Sequence, residues 1–155
     1  MTKIDTTMTA APAAPRRRWL AVLARAQVAE LESAHRAFVR TPHQTVRAAE
    51  GGMVMLRGRI GGNGDPLNFG EATVTRCAVR VGERLGVGYA LGRDRRKAEL
   101  IAVFDALLQD PSQQAQLQHA VVDPLAARQQ DARAAQSRAA ASSKVEFFTL
   151  VRGDG

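Results

Sequence analysis

Leu56–Glu71, LRGRIGGNGDPLNFGE, runs directly into Ala72–Val81, ATVTRCAVRV, and this stretch decides the fold. Upstream, Met53 to Ile60 alternates. Val54, Leu56 and Ile60 share one side with Gly58, and Met53, Met55, Arg57 and Arg59 share the other. Glu71 to Val81 alternates as well: Thr73, Thr75, Cys77, Val79 and Val81 oppose Ala72, Val74, Arg76, Ala78 and Arg80. Two alternating runs joined by a segment rich in Gly, Asn, Asp and Pro predict an antiparallel hairpin. Leu85, Val87, Tyr89 and Leu91 add a third strand, and Thr45–Ala49 reads as a further short one. The other face of the third strand, Gly86, Gly88 and Ala90, is nearly bare, so a helix or a partner backbone can approach it closely. Completion of the Gly86/Gly88 face by another chain is one expectation.

Helical periodicity lies on both sides of this sheet. Trp19, Leu20, Leu23, Val28, Leu31 and Phe38 recur at spacings near 3 to 4 and predict a helix over 16–40, ended by Pro42. Arg93 to Leu108 is the clearest helix, with Ala98, Ile101, Phe104 and Leu108 in one stripe. Asp110-Pro111 restarts the chain, and Leu117, Val121 and Val122 suggest another helix. Asp123-Pro124 is a second start signal, Asp as cap and Pro at the first helical position. The Ala/Arg/Gln run over 126–141 favours helix but has almost no large apolar residues, so it is exposed or leans on a partner. Val145 to Val151 is apolar at nearly every position, as in a strand buried on both faces and completed by another chain. The expectation is an α+β domain over 16–155: N-terminal helices, a small mostly antiparallel sheet, further helices and a C-terminal strand. Residues 1–15 read as a disordered Thr/Ala/Pro tail.

The 155 residues carry 22 Lys+Arg against 15 Asp+Glu, a net charge of +7, and nearly all of the bases are arginine. Arginine suits bidentate pairing with carboxylates or phosphates. A lone cysteine, Cys77, excludes an internal disulfide and points to a reducing, cytoplasmic setting. No signal peptide or membrane span is read, so no membrane partner is expected.

No catalytic constellation assembles from the sequence. Glycines 61, 62 and 64 precede a strand rather than a helix and lack the phosphate-loop spacing. His35, His43, His119 and Cys77 share no metal spacing, and Arg16, Arg17 and Arg18 read as a solvated basic start. Two basic groups remain as candidate binding or interface residues. Arg57, Arg59, Arg76 and Arg80 leave their strands in i, i+2 pairs, and a hairpin could merge them into one patch. That patch would need anions from Glu71, a partner chain or phosphates. Arg93, with Arg95, Arg96 and Lys97, opens a helix against its dipole, with Asp94 as cap.

Three ordered blocks, RGRIGGNGDPLNFGEATVTRCAVRV, GYALGRDRRKAEL and FFTLVRG, together resemble the G-subunit (PhnG) family of the carbon–phosphorus lyase core complex. The resemblance spans about residues 18 to 153, with Leu67 and Phe69 exchanged and Leu150 in place of Met relative to the family's usual wording. It implies a subunit without a catalytic residue of its own. The complex, with subunits H, I and J, uses MgATP and replaces its adenine with an alkylphosphonate. Direct contact with the nucleosidase-type subunit I is expected, and no cofactor bound by this chain. The competing reading is a basic nucleic-acid-binding domain. The charge favours it. The 5% aromatic content and the absence of a stacking or helix-turn-helix signature oppose it, so nucleic acid is not the expected partner.

Overall fold

The two alternating runs do pair as one antiparallel hairpin, β1 (Gln44–Arg59) with β2 (Pro66–Val81), and β3 (Arg84–Leu91) joins the far side of β2. This is a computed structural model, and it describes residues 13–59 and 63–142. The remaining elements are α1 (Ala13–Arg25), α2 (Val28–Phe38), α3 (Arg95–Leu108), α4 (Pro111–Leu117), a π-helical turn (Gln118–Val122) and α5 (Asp123–Ser142). The α+β class is as expected. The C-terminal strand and nearly all of the N-terminal tail fall outside the described residues, although α1 already begins at Ala13.

The sheet is longer than the sequence suggests. The segments expected over 45–49 and 53–60 are one strand, bent by register shifts at Thr45/Arg47, Arg47/Glu50 and Leu56/Arg57. Such bulges let a long strand twist without ending it. β2 starts at Pro66 rather than Glu71, because Leu67 to Gly70 pairs with Leu56 to Gly58 instead of looping. The β2–β3 turn is Gly82-Glu83, with Gly82 at φ 57 supplying the positive dihedral a two-residue hairpin needs.

Face assignments follow the alternation. Thr75, Cys77, Val79 and Val81 are buried, and Arg76 and Arg80 are exposed on the reverse. α3 lies on the buried face. A Cβ on Gly86 would sit 1.9 Å from the carbonyl oxygen of Ala102, and one on Gly88 1.9 Å from that of Ala98. Ala98, Ala102 and Ala106, four residues apart, form the smooth helix stripe that meets these glycines. The Gly86/Gly88 face is therefore filled by the chain's own helix and not by a partner, which corrects the expectation above.

The expected helix over 16–40 is two helices. The break falls at Ala26-Gln27, where the Glu30 carboxylate accepts from the Gln27 backbone N–H and starts α2 afresh. Trp19, Leu23 and Leu31 from this pair join Phe104, Ile101 and Leu108 of α3 in the core. At the other end, Asp123-Pro124 does not start a separate helix. The π turn over Gln118–Val122 runs on into α5, and Asp123 itself is in helical conformation. A π turn absorbs an irregularity of this kind without ending the helix. From Gln130 to Ser142 every residue of α5 is exposed.

Candidate functional site

The buried polar centre of the fold was not foreseen. Asp105 sits on α3 among apolar residues and is fully buried. Its carboxylate accepts from Arg16 Nε (3.1 Å) and Nη2 (2.7 Å), from Trp19 Nε1 (2.9 Å) and from the Val87 backbone N–H (2.9 Å). It thus ties α1, α3 and β3 together. Arg16 is no solvated start but the partly buried partner of a buried carboxylate, the other arginines of that run lying outward. Gln109 Nε2 donates to Leu85 O, so α3 caps the free edge of β3 with side chains from Asp105 and Gln109. Every donor around Asp105 comes from the frame, which makes it a joint of the fold rather than a reactive acid.

A second polar group lies on the α2–α3 side. Arg96 Nε donates to Glu32 (3.2 Å) and Nη1 to Glu99 (3.2 Å), and Glu99 meets His43 Nε2 at 3.1 Å. His35 stands beside this band with its pKa lowered from 6.5, first by burial and then by the charges of Arg96 and His43, against Glu99 and Glu32. A depressed histidine takes up its proton less readily folded than unfolded. Its contribution is intact above pH 6.5 and stability is lost as pH falls below that value. Urea midpoints at pH 7.5 and 5.5 should show the loss, and His35→Gln should reduce the difference; an unchanged difference would remove His35 as its source. Cys77 behaves as a small buried hydrophobe: burial pushes its thiol up, and Sγ donates to Arg47 O at 3.4 Å. Among the described residues, no group of three or more His, Cys, Asp or Glu could hold a metal ion. No described helix is long and apolar enough to cross a membrane.

The arginine patch does not form. The register sets Arg57 opposite Asn68 and Arg59 opposite Pro66, next to the turn, while Arg76 faces Glu50 and Arg80 faces Gln44 at the other end. Seven residues along β1 separate the two pairs, about 23 Å at 3.3 Å per residue. The anion for Arg76 is Glu50, at 2.9 Å across the strands, and not Glu71, which lies on the opposite face. An exposed pair of this kind contributes under about 1 kcal/mol. Arg59 Nη1 donates to Gly64 O. Arg57, Arg80 and Arg93 form no ion pair among the described residues. Asp94 caps α3 as expected, accepting from the Lys97 N–H at 2.9 Å, with Arg93 exposed just before it.

What the hairpin brings together instead is apolar surface. β3 pairs only with Val74–Val81, so beyond that point β1 and β2 form a free two-stranded ribbon. Met53 and Met55 lie on the face that α3 covers elsewhere, and Val54 and Leu56 on the reverse, all exposed, as are Leu67 and Phe69. On the open face of the sheet Leu85, Tyr89 and Leu91 are exposed as well. Surfaces of this kind belong to assemblies.

The comparisons with known proteins bear on the same point. The model of the family described as phosphonate metabolism protein PhnG matches residues 14–153. The chain belongs to that family. The chain is also 45% identical, over 145 residues and 91% of each sequence, to the alpha-D-ribose 1-methylphosphonate 5-triphosphate synthase subunit PhnG of Rhizobium meliloti (strain 1021). The matched span covers all described secondary structure except the first residue of α1. The resemblance carried by the hairpin wording is thus confirmed at the level of the family.

Proposed function

We propose that this chain is a non-catalytic but required subunit of an assembly that joins an alkylphosphonate to the ribose of ATP, with release of adenine, in phosphonate breakdown. The observation that carries the reading is the 45% identity, over nine-tenths of both sequences, to a protein named as a subunit of alpha-D-ribose 1-methylphosphonate 5-triphosphate synthase. Two structural features support it. The acid most deeply placed in the fold is saturated by donors from the frame. The exposed apolar ribbon and the Ala-rich, exposed half of α5 are surfaces suited to other chains. Its partners would be subunits H, I and J, with direct contact to the nucleosidase-type subunit I, in the cytoplasm. MgATP would be used by the assembly, with no cofactor held by this chain.

The test is a reconstitution read by free adenine. The purified chain, given MgATP and methylphosphonate, should release none above background. The assembled subunits should release it, and the mixture lacking this chain should not. Release by the chain alone at the rate of the full assembly overturns the non-catalytic reading. Full activity without the chain overturns the required one.

A further inference from the structure

The free half of the β1–β2 hairpin has no cover among the described residues. Among the described residues Met53–Arg59 and Pro66–Ala72 pair only with each other, over about 23 Å of strand, with the Gly92 N–H donating to Thr73 O at the base. Met53 is 65% exposed and Met55 56%, and on the opposite face, beside Gly58, Phe69 is 62% exposed and Val54 and Leu56 are each 38% exposed. An isolated two-stranded hairpin is marginal in water, and this one bears apolar side chains on both faces. We propose that this ribbon is a two-faced docking finger that seats in an apolar cleft of another protein subunit of the assembly. The proposal rests on the subunit reading above and adds to it the surface and its manner of binding.

The occupant follows from the shape and charge of the ribbon. A flat surface could cover one face only, so two walls are required. A second copy of this chain, adding its β1 edge to edge, would lengthen the sheet and leave both faces open. A lipid interior is opposed by Arg57 and Arg59 near the leading end, which would lose their water. Nucleic acid is opposed by the charge balance: over residues 53–73 the two arginines are matched by Asp65 and Glu71, so the ribbon offers phosphates no net attraction. What remains is a protein cleft with apolar walls and a rim carrying both signs of charge, methionine and phenylalanine being the adaptable and the rigid contacts suited to filling it. The finger lies outside the buried core, so it can be altered without unfolding the domain.

Two measurements on the co-expressed assembly test this. In the first, Met55→Asp and Phe69→Ser are each co-expressed with the other subunits, and the amount of this chain recovered in complex is compared with the unaltered protein. Both variants should fold, by circular dichroism and melting temperature, and recovery should fall at least about tenfold. In the second, dilute peroxide is applied and oxidation of Met53 and Met55 is followed by peptide mass. Both should oxidise readily in the isolated chain and at least about tenfold more slowly in the assembly. Undiminished recovery of both variants, or equal oxidation free and bound, overturns the finger while leaving the subunit reading standing. Protection already present in the isolated chain through self-association, or gained on adding phospholipid vesicles alone, also overturns it. Failure of the unaltered chain to assemble at all sinks the subunit reading itself, and the finger with it.

Discussion

Asp105→Ala should destabilise the fold by about 3–5 kcal/mol, chiefly the cost of leaving two interior donors unpaired at about 1–3 kcal/mol each. For a chain of this size each kcal/mol shifts the melting temperature by about 2–4 °C, so a drop of roughly 10 °C is expected. The size comes from what is left behind. The carboxylate is fully buried and holds Arg16, Trp19 Nε1 and the Val87 N–H at 2.7–3.1 Å. Without it the indole and the β3 amide become unpaired donors in the interior, and the Arg16 guanidinium, 26% exposed, must turn toward water. Asp105→Asn keeps the volume but points an NH2 at a site already crowded with donors, so it should recover only part of the loss. Thermal melts followed by circular dichroism check both variants. A drop of under about 3 °C for Asp105→Ala would mean that the joint among α1, α3 and β3 is not held this way.

The sequence carries no sign of Arg16 as its partner, and the reason is physical. Asp105 lies in LIAVFDALL, where one acid among apolar residues signals burial but not who neutralises it, and Arg16 is 89 positions away. What alternation can report, it reported. Thr75, Cys77, Val79 and Val81 share one side as expected, and that side is the buried one, because a sheet covered on one face leaves a two-residue period. Register is another matter. The Gly-, Asn-, Asp- and Pro-rich connection read as turn, which placed the start of β2 at Glu71 and would have drawn Arg57 toward Arg76; the strand in fact starts at Pro66, and the arginine pairs part. The split between α1 and α2 has neither Pro nor Gly to mark it, only Gln27 with Glu30 three residues on. Of the candidate residues, Asp94 was legible because capping is local, whereas the partner of Arg76 depended on a cross-strand pairing fixed by the whole hairpin.

The bare face of β3 was legible as a close approach, but not what approaches, and a substitution there should have a larger effect than any on the sheet's open side. In Gly88→Val the first added carbon alone would stand 1.9 Å from the Ala98 carbonyl oxygen and 2.8 Å from the Ala102 nitrogen. These are backbone atoms of α3, which cannot step aside as a side chain would. The helix must lift from the sheet, and it carries Ala98, Leu100, Ile101, Val103, Phe104 and Leu108 of the core with it. Overpacking a core commonly costs about 1–3 kcal/mol even when side chains can adjust. With backbone against backbone the loss should exceed that range, and Gly88→Val should give little or no soluble folded protein. Gly88→Ala, which adds the Cβ alone, keeps the clash and should still lower the urea midpoint sharply. Gly51→Ala is the matched control, since its Cβ would meet nothing within 4 Å. Replacing glycine inside a strand removes an entropic penalty of about 0.5–1 kcal/mol, so that variant should be neutral or slightly more stable. Soluble yield and urea midpoints for the three variants decide the matter. If Gly88→Ala unfolds at the same midpoint as Gly51→Ala, α3 does not lie on β3 at the distance shown, and the bare face is again open to a partner chain.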